Sequence, residues 1–266
     1  MIKLNGIRVD LNKFPDGTLF MKPDFSTARA MKNGPYEITW NYENDGELFA
    51  LICLTKKLKE WGHKVNLMLP YIPNARMDRA KLLTDIFTLK SFAEVINSLD
   101  FNTVYVLDAH SNVSLGLIDR VQTMSVYPYI SHAIKKVVDD NLIFFYPDEG
   151  SAKRYADMIG KPYAFGIKKR DWSTGQILGL DIIDNGIDLK GKTILIIDDI
   201  CSKGGTFYHS AKKLKELGGG NVYLYVTHCE NTILEGEVLT SGLIEKVFTT
   251  NSIFTKDHEK VEVIKL

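Results

Sequence analysis

Six short β-rich runs alternate with helical patterns along this 266-residue chain, and that alternation restricts its fold more than any other feature. "KVNLMLPY", "FNTVYVLDAH", "NLIFFYPDEG", "KPYAFGIKKR", "TILIIDDI" and "NVYLYVTH" read as buried strands. Between them, Leu51, Leu54, Leu58 and Trp61 keep helical spacing, as do Phe207, Ala211 and Leu214, so each stripe is expected to face a core. Strands separated by amphipathic helices build an α/β protein whose parallel sheet is covered on both faces.

An internal echo sets the domain count. "LTKKLKEWGHKVNLMLP", from Leu54, returns as "SAKKLKELGGGNVYLYV", from Ser210. Lysine-rich helix ends before strands are common in such proteins, but the match spans a helix end, a glycine stop and a strand, and reads as duplication of one unit. Two similar α/β domains follow, with a boundary between Val137 and Asn141. The expected division is 1–138, 139–250 and a tail, 251–266, that packs back on the first domain.

Charge and cysteine content exclude several classes. The 33 basic and 33 acidic residues cancel, which supports neither nonspecific nucleic-acid binding nor attachment to an anionic membrane. Cys53, Cys201 and Cys229 have neither zinc spacing nor a disulfide framework. The N-terminal "MIKLNGIRVDLNKFPDG" lacks the apolar run of a signal peptide, and no stretch is long enough to span a bilayer; a cytoplasmic protein is expected.

Chemistry concentrates in "TILIIDDICSKGGTFYHSAKKL", residues 193–214. A strand that releases its chain through glycines into a helix presents backbone N–H groups to a phosphate, and Gly204 and Gly205 permit close approach. The Walker pattern Gly-x4-Gly-Lys-Ser/Thr is absent. Asp198 and Asp199 stand at the carboxyl end of the strand, where open α/β sheets bind ligands, and vicinal ribose hydroxyls donate well to carboxylates. A sugar phosphate suits both halves. The same residues also read as a helix start capped by Ser202 or Thr206, with solvated aspartates.

"IIDDICSKGGT" resembles the phosphoribosyl-diphosphate loop shared by type I phosphoribosyltransferases and ribose-phosphate diphosphokinases (PRPP synthetases). "KFPDG", "NDGELFALI", "LPYIPNARMDR", "VLDAHS", "YPDEG", "KKR", "VTHC" and "TTNSI" resemble diphosphokinase segments in that family's order, over nearly the whole chain. Phosphoribosyltransferases share only the loop. The resemblance implies two similar phosphoribosyltransferase type I-like domains, each a mostly parallel sheet flanked by helices. It also implies Mg²⁺-dependent transfer of the β,γ-diphosphate of ATP to the anomeric hydroxyl of ribose 5-phosphate, releasing AMP.

The resemblance carries over to particular residues. Lys168 and Arg170 match a catalytic Lys-x-Arg pair in a lid, "KKRDWSTGQILG", that would meet charge on the transferring phosphorus. His110 and Asp148 correspond to Mg²⁺ ligands; alone, the one reads as a hydrogen-bonding histidine and the other as a turn. Phe14, Asp16, Arg76, Asp78 and His110 correspond to the ATP site, with Phe14 stacking on adenine from a neighbouring subunit, which requires at least a dimer and allows a hexamer. Asp198, Asp199, Ser202, Lys203, Gly204, Gly205 and Thr206 would hold the acceptor's ribose phosphate.

Departures leave alternatives open. Met77 and Thr18 replace the family's Gln and Glu at the nucleotide end. Lys203 stands where the family commonly has Thr, and most of the first strand and helix is missing. A second cation admits a larger acceptor such as ADP-ribose, in NAD metabolism. A non-catalytic, nucleotide-binding regulatory relative is a further alternative, and a phosphoribosyltransferase ranks third.

Overall fold

The computed structural model describes residues 1–30, 34–137, 139–170 and 177–266, and the side chains of 30, 168–170 and 177–180 lie outside that description. The chain forms two compact units, Met1–Ser125 and Val126–Leu266. The first contains β1 (Ile2–Leu4), β2 (Ile7–Arg8), β3 (Asn12–Lys13), β4 (Leu19–Phe20), α1 (Phe25–Ala30), β5 (Tyr36–Trp40), α2 (Gly46–Glu60), β6 (Val65–Leu69), α3 (Thr88–Ser98), β7 (Thr103–Leu107), α4 (Asn112–Leu117) and β8 (Val121–Met124). The second contains α5 (Tyr127–Lys136), β9 (Leu142–Tyr146), α6 (Glu149–Ile159), β10 (Tyr163–Arg170), β11 (Ile177–Ile183), β12 (Thr193–Cys201), α7 (Gly205–Glu216), β13 (Val222–Cys229), β14 (Val247–Thr250) and β15 (Val261–Ile264).

All six expected strands form. The first sheet has the order β2-β1-β5-β6-β7-β8 and is parallel from β5 to β8. The second has the order β11-β10-β9-β12-β13-β14-β15 and is parallel except for the edge pair β10–β11. A parallel neighbour requires a crossover that returns the chain to the starting rim, which is the work of the intervening helices.

The echoed segments occupy equivalent places. Helices α2 and α7 each lead into a strand through a glycine with positive φ, Gly62 at 76° and Gly218 at 86°. At both ends an N–H reaches back five residues: His63 N to Leu58 O at 3.1 Å, and Gly219 N to Leu214 O at 2.9 Å. This closure satisfies carbonyls that the helix end would leave open. Leu51, Leu54, Leu58, Phe207, Ala211 and Leu214 are buried as their spacing predicts, and each large apolar side chain so placed contributes about 1.5–3 kcal/mol. Trp61 differs. It lies one residue past the last helical position, is 46% exposed, and packs edge-on against Phe25 instead of continuing the stripe.

Two boundaries also differ from expectation. Helix α5 belongs to the second unit because it packs on β13 and β14, so the division falls before Val126 rather than after 138. The C-terminal residues supply β15, a parallel neighbour of β14 in the second unit's own sheet. Glu262 of β15 links these elements: its carboxylate meets His132 of α5 at 2.8 Å and Lys246 at 2.9 Å, with Lys136 at 3.8 Å.

Burial would raise the Glu262 carboxyl, but hydrogen bonds from His132 and Lys246 and the two lysine charges outweigh it and bring the pKa down to about 2. A depressed carboxylate stabilises the fold above its unfolded value, near 4.5, and loses that contribution as pH falls toward 2. Glu262→Gln is expected to cost about 1–3 kcal/mol at pH 7 and to flatten the fall in stability between pH 4.5 and 2. Urea unfolding at several pH values checks this, and a parallel fall in both proteins would assign the network no role.

Candidate active site

In the second unit, the strand order places β9 beside β12, although the helices after them belong to connections running in opposite directions along the sheet. Such a switch point opens a crevice at the carboxyl ends of the two strands. Asp148 follows β9, and Asp198 and Asp199 lie within β12 near its carboxyl end. Asp148 caps α6 by accepting from Ser151 N at 3.0 Å, so the turn-forming role and a place at the crevice coexist.

The two aspartates of β12 differ because successive side chains point to opposite faces of the sheet. Asp199 is buried and accepts from Arg154 Nη1 of α6 at 3.0 Å. Asp198 is pushed well above the usual carboxylate range, first by burial and then by the charges of Asp199 and Asp148. A carboxyl so raised is poised to gain when an incoming donor or cation arrives.

Helix α7 begins directly after this strand. Its N-cap is Gly204, at φ 81°, and no side chain caps it; neither Ser202 nor Thr206 takes the role that the sequence left open to them. Ser202 Oγ instead donates to Glu230 at 2.8 Å, and Lys203 Nζ pairs with Glu235 at 2.9 Å. The uncapped start leaves the helix dipole and its first amides directed at whatever occupies the loop.

Lys168 and Arg170 lie in β10, paired with β11, rather than in an irregular loop; their side chains, and residues 171–176 of the expected lid, lie outside the described residues. Strand β10 pairs with β9 only over Tyr163–Phe165. The remaining five residues carry the backbone past that pairing by roughly 16 Å at strand spacing, on the carboxyl-end side where Asp148 lies.

In the first unit, the segments after β6 and β7 are adjacent. Asp78 accepts from Ser111 Oγ at 2.8 Å and from Arg79 Nε at 3.0 Å, and it is held below the usual range by these bonds, with His110 adding to the effect. Arg76 is exposed two residues earlier. Phe14 sits on the turn of the β3–β4 hairpin, 51% exposed, with its ring 5.0 Å from that of Phe20. Asp16 is held by Thr18, whose hydroxyl and N–H donate at 2.7 and 2.9 Å, so the residue in place of the family's Glu closes the turn.

No protein-family model matches the chain. Curated relatives include "Ribose-phosphate pyrophosphokinase" of Saccharolobus solfataricus, 27% identical over 263 residues, covering 97% of this chain and 88% of the relative. The Pyrococcus abyssi protein of the same name is 28% identical over 262 residues, with coverages of 95% and 86%. The chain is a divergent relative of the ribose-phosphate pyrophosphokinases. The fold agrees: the phosphoribosylpyrophosphate synthetase structure from Mycobacterium smegmatis superposes with a TM-score of 0.78 at 21% identity, over 97% of this chain and 86% of that one.

Against that pyrophosphokinase frame, sequence reasoning missed Arg154 and Glu230. The only local signal for Arg154 is a cation on the helix that starts at Asp148. For Glu230 it is a carboxylate immediately after a strand neighbouring the loop strand.

Proposed function

We propose that the protein transfers the β,γ-diphosphate of ATP to the anomeric hydroxyl of ribose 5-phosphate, releasing AMP. The observation that carries the reading is the pair Asp198–Asp199 at a switch point, running into a helix start that no side chain caps. The names of the curated relatives support it. The acceptor's vicinal hydroxyls donate to Asp198, while Asp199, held by Arg154, fixes the end of β12, and the acceptor's phosphate takes the amides of Gly204, Gly205 and Thr206. The nucleophile is the acceptor's own hydroxyl, so the protein supplies position and charge rather than a covalent intermediate.

Lys168 and Arg170 stabilise negative charge on the transferring phosphorus. ATP takes Arg76, Asp78, His110 and the Phe14–Asp16 hairpin, with the exposed Phe14 reaching a second copy of the chain. Among the described residues no cluster of three or more His, Cys, Asp or Glu side chains is arranged to hold a metal. Mg²⁺ keeps waters and substrate phosphates and needs few protein ligands; His110 and Asp148 are the proposed ones. When bound, the ion neutralises the diphosphate.

Lys203, which would serve a second acceptor phosphate, is paired with Glu235, so ribose 5-phosphate is preferred over ADP-ribose as acceptor. Incubation with ATP, Mg²⁺ and each acceptor, followed by mass analysis, tests this. AMP and a diphosphorylated ribose 5-phosphate are expected, while AMP formed only with ADP-ribose would reverse the choice. Asp198→Asn should raise the acceptor KM at least about tenfold, from loss of charge-assisted hydrogen bonds. Its stability at pH 7 should not fall, because the carboxyl it replaces is already costly to ionise. An unchanged acceptor KM would remove Asp198 from the site.

A further inference from the structure

The loop between β12 and α7 is clasped by the segment after β13. Ser202 Oγ and Thr232 Oγ1 both donate to Glu230 Oε2, at 2.8 and 3.1 Å, while Glu230 N donates to Cys201 O at 2.8 Å. Lys203 pairs with Glu235. The backbones also meet: a Cβ on Gly236 would lie 1.8 Å from Lys203 O, and one on Gly204 would lie 2.2 Å from Val238 Cγ2. An anion loop is therefore held in shape by two carboxylates.

This arrangement has a chemical price. A serine hydroxyl has one proton, and that of Ser202 is committed to Glu230, leaving lone pairs for a ligand. Glu230 also places its carboxylate one hydroxyl away from the loop. Coulomb repulsion scales with the charge of the ligand, so it acts on a phosphate dianion about twice as strongly as on a phosphate with a single charge.

We propose that Glu230 is a specificity-determining residue of the acceptor site. It reduces the loop's preference for a dianionic phosphate monoester over a singly charged, esterified phosphate. The inference rests on the loop being the acceptor's phosphate site, as the proposed function has it.

Direct binding separates the two claims without turnover. Dissociation constants for ribose 5-phosphate and its 5′-methyl phosphate ester are measured by calorimetry at low ionic strength on the full chain. Glu230→Gln keeps an oxygen for Ser202 and Thr232 and deletes the charge. It is expected to tighten the monoester about three- to tenfold and the methyl ester about two- to threefold, shifting their ratio toward the monoester. Glu216→Gln removes the same charge from the exposed end of α7, where Glu216 pairs with Lys213, and should leave the ratio unchanged. Glu230→Ala also cuts the clasp and should weaken both ligands. An unshifted ratio in Glu230→Gln, or weakening equal to that in Glu230→Ala, would overturn the role of Glu230 alone. Binding of neither ligand to any of the proteins would overturn the acceptor-site reading itself.

Discussion

Lys168→Ala and Arg170→Ala are each expected to lower kcat by roughly 10²–10³ while moving the KM for ATP and for the acceptor by less than about threefold. Their backbone lies on the part of β10 that runs past its pairing with β9, supported on one side by the antiparallel β11. A strand projecting beyond the sheet can bring cations over a crevice without tying them to the ground state. Charge that engages mainly when negative charge builds on the transferring phosphorus is worth most at that moment. Steady-state kinetics with both substrates varied checks the expectation. An effect confined to KM would make the strand a binding surface, and would return catalysis to the residues around Asp148 and Asp198.

Arg154→Ala is expected to destabilise the protein by about 2–4 kcal/mol, because it removes a guanidinium from a carboxylate that stays buried. Asp199 has 6% side-chain exposure, against 30% for Arg154, so water cannot replace the lost partner fully on the aspartate side. The loss also adds to the electrostatic load on Asp198, which already feels the charge of Asp199. The double variant Arg154→Ala with Asp199→Asn should recover most of the stability, since no unpaired charge remains. Denaturant unfolding of wild type, both single variants and the double variant forms the required cycle. A double variant no more stable than Arg154→Ala would show that the arginine acts through packing, where its stem and ring contact with Tyr155 count instead.

What was legible in the chain was what is local. The apolar runs behind β6, β7, β9, β12 and β13 announce strands because both faces of a central parallel strand are buried. "YEITW" and "VEVI", which form β5 and β15, are only five and four residues long, each interrupted by a glutamate, and give no comparable signal. Asp198, Asp199, Gly204 and Gly205 stood out because strand, loop and helix follow one another within a dozen residues. Arg154 meets Asp199 across 45 residues, Ser202 meets Glu230 across 28, and His132 meets Glu262 across 130. No periodicity encodes such pairs, and the last of them joins α5 to β15 within the second unit.

The contact of Gly204 with Val238, and of Gly236 with the Lys203 carbonyl, bears on how this loop can change over generations or in a selection experiment. Neither Gly204 nor Gly236 has room for a side chain, so 202–206 and 230–238 are fitted to each other at these two points. A library that randomises Gly204 while keeping Val238 samples mostly collisions. One that exchanges both stretches together from another relative keeps their fit and lets the acceptor preference travel with them.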